Sequence, residues 1–167
     1  MLRTSTVEPP TPTPVTLVDP SLLSTALVEQ LEGIPVGQHV VLVLHEDHFT
    51  RELATFLTTQ PQANYRIAAI RFSPGQIEAQ GEIRVFGVWV STTVWGSLDA
   101  QDCQAQATIT DFSIGGLLTP VLVREEARKL IHGQLEEVMD NLFETLPVCL
   151  ESVEVLDGVA ILNGTKQ

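Results

Sequence analysis

The sequence predicts an α+β fold in which a curled antiparallel β-sheet wraps one long C-terminal α-helix, with short helices near the N-terminus. Three observations carry this. Apolar residues recur at three- and four-residue steps from Thr119 to Leu146. Strict alternation of apolar and polar residues marks 76–85 and 103–110. Turn dipeptides, Pro74-Gly75 and Asp157-Gly158, separate the alternating runs. The first period is that of a helix and the second that of a half-buried strand.

In the long segment, Val123, Ala127, Leu130, Ile131, Leu135, Val138, Leu142 and Leu146 share one face. Met139 and Phe143 widen it. Thr119 offers an N-cap oxygen, Pro120 suits the first helical position, and Pro147 ends the segment. A helix of this span is roughly 40 Å long. Its other side carries Glu125, Glu126, Glu136, Glu137, Asp140 and Glu144, which read as the wet face of an amphipathic helix.

Residues 1–14 are rich in Thr and Pro (T-S-T-V-E-P-P-T-P-T-P over 4–14) and read as an extended tether. Residues 15–167 are expected to form a single α+β domain, large enough for a real core. Asp19-Pro20 opens a short helix bearing Leu22, Leu23, Ala26, Leu27 and Leu31, with Gly33 just past its end. Gln38–Leu44 is a short apolar run of strand type. Asp47 then caps a second helix, in which Phe49, Leu53, Phe56 and Leu57 share a face; Gln60-Pro61 stops it.

Tyr65–Ser73 and Gln76–Val85 flank the Pro74-Gly75 turn. In the second, Ile77, Ala79, Ile83 and Val85 alternate with Gln76, Glu78, Gln80, Glu82 and Arg84, so one face is wet. From Phe86 the phase slips by one, and Val88, Val90, Val94 and Leu98 carry the aliphatics. A slip beside Gly87 predicts a β-bulge that helps the sheet curl. Cys103, Ala105, Ala107 and Ile109 line one face of the next strand. A last hairpin, 153–164, turns at Asp157-Gly158. Segment 72–81 matches 155–164 in turn, length and closing glycine, and each is preceded by a helix, which points to two copies of a helix-then-hairpin unit.

The chain holds 21 acidic and 9 basic residues, a net charge of −12. Nucleic acid needs a positive footprint, which this balance excludes. It likewise disfavours electrostatic docking to anionic headgroups. No apolar run is long enough to span a bilayer, and Met1-Leu2-Arg3 leads straight into Thr and Pro, unlike a signal peptide. Tethers of this composition commonly follow a membrane anchor or lipidated cysteine. The sequence therefore predicts an extracytoplasmic, membrane-tethered protein whose only link to the membrane is an anchor preceding this chain; a cytoplasmic protein with a disordered start is the alternative.

The residues Leu42 to Leu53 (L-V-L-H-E-D-H-F-T-R-E-L), Ile70 to Ile77 with Gly81, the long helix, and Ser152 to Gly158 resemble a family of exported bacterial proteins of unknown function. These are often tethered lipoproteins, and their fold resembles one half of the tubular lipid-binding superfamily. The resemblance covers residues 38–164 and implies a curled sheet around a long helix with a lipid between them. It implies no catalytic residue and no cofactor.

His45-Glu46-Asp47-His48 is the one metal-like cluster. Its histidines are three apart, whereas a helical zinc site needs four, so no metal is expected. Glu46 and Asp47 instead suit a helix N-terminus. His132 reads as solvated. No nucleophile elbow, phosphate loop or dinucleotide fingerprint occurs, and no enzyme is predicted. Cys103 and Cys149 could meet, because a strand of about 37 Å followed by a returning helix brings 149 beside 103. A disulfide would suit an oxidising compartment, and two separate buried thiols are the alternative. Trp89 and Trp95 lie opposite the valines of their strand, as an interaction surface or beneath the first helix.

Small inward residues decide the functional expectation. Ala79, Cys103, Ala105 and Ala107 either let the helix approach the sheet closely, which is the default, or leave a groove for a lipid or other apolar molecule, in which Leu130, Ile131, Val138 and Leu142 would face Ala105 and Ala107. The expected function is non-enzymatic binding of such a ligand at the cell envelope. The alternative is a filled core and a protein–protein interaction module.

Overall fold

The computed structural model describes residues 27–59, 64–116, 119–135, 143 and 146–167. The elements in order are β1 (His39–His45), α1 (Glu46–Thr59), β2 (Tyr65–Ser73), β3 (Gln76–Val85), β4 (Val88–Gln101), β5 (Gln104–Ile114), α2 (Val121–Leu130) with a π-helical turn (Ile131–Leu135), β6 (Val148–Val155) and β7 (Val159–Lys166). The strands form two antiparallel sheets, β1-β7-β6 and β2-β3-β4-β5. The tether at 1–14, the first helix before Leu27 and the Gln60-Pro61 stop lie outside the described residues.

The protein is α+β with antiparallel sheets, but it is mostly β and not one sheet wrapped around a C-terminal axle. The longest described helix is α1, in the middle of the chain. Within the segment expected to be that axle, the described residues form regular α-helix over Val121–Leu130, which gives way to the π-helical turn containing Gly133. Glycine is the poorest ordinary helix former, and a widened turn there breaks the three-four register of apolar positions. The continuation at 136–142 lies outside the described residues; Phe143 is helical and buried. Pro120 occupies the N-cap rather than the first helical position: its carbonyl accepts the Val123 and Arg124 amides at 3.1 and 3.2 Å.

The sheet divides because the last hairpin takes β1 as its third strand. β1 alternates, with Val40, Leu42 and Leu44 buried and His39, Val41 and His45 exposed, and every residue of it pairs with β7. The phase slip at Phe86 is a hairpin, not the expected bulge: Phe86 and Gly87 have φ of 49° and 80°, as a two-residue primed turn demands. Phe is a rare occupant of left-handed backbone, so the turn carried no sequence signal.

Real bulges lie elsewhere, and two of them are equivalent. One falls between Ile67 and Ala69, opposite Gly81; the other falls between Leu150 and Ser152, opposite Gly164. A β-carbon on Gly81 would strike the Arg66 carbonyl, and one on Gly164 the Cys149 carbonyl. Counted from the matched segments, these positions coincide residue for residue. The two hairpins also face each other. Gly75 N–H donates to the Val155 carbonyl at 2.9 Å, and Gly158 N–H donates to the Phe72 carbonyl at 3.1 Å. Each bond is the other with the two copies exchanged, as in an isologous contact.

β6 thus runs across one end of the four-stranded sheet. Val155 meets the β2–β3 turn, and Leu150 N–H donates to the Cys103 carbonyl in the β4–β5 turn at 3.0 Å. The core lies between the sheets and helices. Its fully buried members include Leu42, Phe49, Leu53, Ile83, Ile131 and Leu162, so it is aliphatic with a few phenylalanines.

Candidate functional site

α1 starts one residue before Asp47, with Glu46. The Glu46 carboxylate accepts the Phe72 amide at 2.8 Å, and the Thr50 hydroxyl accepts the Ile70 amide at 2.9 Å. These side chains cover the outer edge of β2, whose backbone groups would otherwise be open to another strand. They also fix α1 over the inner face of the four-stranded sheet. Phe49 then packs against Phe72 and Phe143, with ring centroids 5.8 and 6.4 Å apart.

Beside Phe49 and Leu53, a cavity of about 50 Å³ opens between α1 and the sheet. Ile67, Ile70, Ile77 and Val94 form its floor, and Ala79, Gly96 and Ala107 supply small surfaces where larger side chains would close it. Ser97 and Thr108 are its polar members. Gly96 follows from local geometry. It sits at the β4–β5 register shift, where a β-carbon would come within 2.6 Å of the Thr108 carbonyl oxygen.

Of the residues expected to make a groove, Ala107 lines this cavity, and Ala105 is buried nearer the β4–β5 turn, paired with Ala100. Among the described residues, the helical ones lining the cavity with Ala107 come from α1. Ile131 is fully buried and Leu130 half-buried. The Leu130 carbonyl accepts the Tyr65 hydroxyl, and burial raises the Tyr65 pKa above the ordinary phenol range. Val138 and Leu142 lie outside the described residues. Phe49 and Leu53 read in the sequence as ordinary packing; nothing in their spacing told which sheet they would cover.

Cys103 and Cys149 are joined by a disulfide, with Cα atoms 4.2 Å apart. It ties the β4–β5 turn to β6. Cys103 and its neighbour Asp102 have φ of 66° and 52°. Trp89 and Trp95 are half-buried on the outer face of the sheet. The Arg66 guanidinium lies 3.7 Å from the Trp89 ring centroid, and the Trp95 indole donates to Glu78 at 3.0 Å. These contacts, rather than any seen from 27–33, engage the indoles.

Among the described residues no group of three His, Cys, Asp or Glu could hold a metal ion. His48 lies 3.7 Å from Glu52, one helical turn on, while Glu46 is taken up by β2. Glu126 pairs with Lys129 at 3.8 Å; Glu136, Glu137, Asp140 and Glu144 lie outside the described residues. His132 is exposed but meets the Phe112 ring edge-on at 5.7 Å. No described helix is long and apolar enough to cross a membrane. Comparison of the chain with family models, curated proteins and solved structures gives no match.

Proposed function

We propose that this is a non-enzymatic binding protein for a lipid or other apolar ligand, held between α1 and the inner face of the four-stranded sheet. The observation that carries this reading is the composition of the cavity: aliphatic and aromatic walls with two alanines, Ala79 and Ala107, where Leu or Ile would fill the space. An empty apolar space of this size forfeits about 1 kcal/mol of packing. A hydrocarbon segment recovers that loss, and each further methylene it buries adds about 0.8 kcal/mol. Ile67 and Ile109, half-buried at the rim, are where a longer chain would leave the cavity. The disulfide supports an oxidising, extracytoplasmic location.

Native mass spectrometry after gentle purification, with uptake of a fluorescent fatty acid, tests the proposal. The expected outcome is a co-purifying apolar mass or saturable uptake, abolished by Ala107→Leu, which occupies the space, in a variant that still unfolds cooperatively. A clean apo mass with no uptake overturns it, leaving a filled-core interaction module as the reading.

A further inference from the structure

The end of the four-stranded sheet away from β6 carries a surface of a different kind. The strand register brings together there the β3–β4 turn, the start of β2 and the end of β5, from which the chain passes into α2. Phe86 and Val88 at the turn, and Val121 and Leu122 at the head of α2, are 70, 62, 71 and 75% exposed. Single exposed apolar residues need no explanation, but two pairs close in sequence, one at a hairpin turn and one in the first turn of a helix, do. Phe86 is also held in left-handed backbone, which suits glycine and disfavours a bulky ring. The turn thus keeps a phenyl group in water in a conformation that favours another residue.

The same end is cationic. Arg66, Arg84 and Arg124 belong to it, and Arg128, over the Phe112 ring, and Lys129 follow one turn along α2; they are five of the nine basic residues of a chain whose net charge is −12. Arg84 stands opposite Trp89 in the register, and Arg66 covers that indole. Arg124 and Arg128 line, with Val121, an open concavity of about 620 Å³. Among the described residues the carboxylates beside these cations are Glu82, which pairs with Arg66 at 3.6 Å, Glu126, which pairs with Lys129 at 3.8 Å, and Glu125.

We propose that this end docks onto an anionic phospholipid bilayer. Phe86, Val88, Val121 and Leu122 enter the boundary between headgroups and acyl chains. Trp89 lies at interface depth, and Arg84 and Arg124 meet lipid phosphates. Apolar side chains protruding from loop tips, with an indole and arginines behind them, match the layering of that interface. Charge complementarity selects anionic lipid. It also sets the orientation, because acidic surface brought within about 10 Å of such a membrane is repelled, while acidic surface held farther away is screened. The net charge hides this end because it averages over the whole surface. The inference does not depend on a ligand in the cavity.

Flotation of the full chain with vesicles tests it, using phosphatidylcholine alone or mixed with phosphatidylglycerol. Expected are binding to the mixed vesicles, weakening with added salt, and a blue shift of tryptophan emission. Phe86→Gly should weaken binding about tenfold, the affinity equivalent of one aromatic side chain's burial. Glycine fits that backbone, so the loss cannot come from misfolding. Arg84→Gln with Arg124→Gln should weaken binding to the mixed vesicles and flatten its salt dependence. No flotation with mixed vesicles, equal flotation with phosphatidylcholine alone, or binding unchanged by Phe86→Gly each overturns the proposal.

Discussion

The two ends of the four-stranded sheet are built on opposite principles. At one, the β2–β3 and β4–β5 turns are fastened to β6 by backbone hydrogen bonds at Gly75 and Cys103 and by the Cys103–Cys149 disulfide. At the other, the β3–β4 turn carries Phe86 and Val88 into solvent. Both ends use left-handed backbone at non-glycine residues, Asp102 and Cys103 at the first and Phe86 at the second. At the fastened end a covalent bond holds that conformation in place. At the free end nothing covalent does, and the exposed side chains are the ones a packed protein would hide. The difference separates a region serving stability from one available for contact.

The largest test breaks the fastened end. The disulfide closes a loop with a sequence separation of 46, for which the chain-entropy account gives about 4 kcal/mol. Cys103→Ser with Cys149→Ser should lower the guanidinium unfolding midpoint accordingly. Hydrogen exchange should show lost protection in the β4–β5 turn and β6, with little change at 84–90. Uniform loss across both ends would erase the distinction between them.

The fastened end was the more legible of the two in the sequence, and the reasons are physical. Pro74-Gly75 and Asp157-Gly158 name their turns by residue type, and period two names β3 and β5. The match of 72–81 to 155–164 anticipated two like hairpins, though not that they would touch each other. Phe86-Gly87 left no such trace, so its hairpin read as a phase slip. The three-four spacing from 119 to 146 reports one apolar face but not what covers it, and Gly133 marked the π-helical turn only in hindsight. The cavity was half legible. Ala107 was singled out as small and inward, but its helical partners Phe49 and Leu53 depend on α1 being anchored to β2 by Glu46 and Thr50. That is a tertiary fact with no local signature.

A smaller effect sharpens what holds the free end together behind its exposed tip. Tyr65 begins β2 there and donates its hydroxyl to the Leu130 carbonyl, which fastens α2 across the sheet. Burial raises its pKa, so the folded protein keeps the proton after the unfolded chain has lost it. The stability Tyr65 contributes is therefore fully present below its unfolded pKa of about 10 and falls as pH rises beyond it, by at most about 1.4 kcal/mol per pH unit. Urea titrations between neutral and strongly alkaline pH should show this slope in the parent. Tyr65→Phe should start less stable at neutral pH, by about 1 kcal/mol for the lost hydrogen bond, and lose less as pH rises. A parent and variant that decline in parallel would place the alkaline sensitivity elsewhere.

The smallest expected change in stability comes from Phe86→Gly, and its sign is the informative part. A bulky residue in left-handed backbone costs roughly 1 kcal/mol relative to glycine. Glycine in turn gives the unfolded chain more freedom, which offsets part of that gain. At 70% exposure the ring has little burial to lose. Phe86→Gly should therefore be neutral or raise the melting temperature slightly, measured by thermal unfolding without lipid. The corresponding change at the fastened end runs the other way: a side chain at Gly164 has to displace the Cys149 carbonyl. If Phe86→Gly instead destabilises the protein clearly, the ring packs in solution against something, and the free end is not free. If stability holds while vesicle binding falls, the strain at the turn is kept for contact rather than for folding.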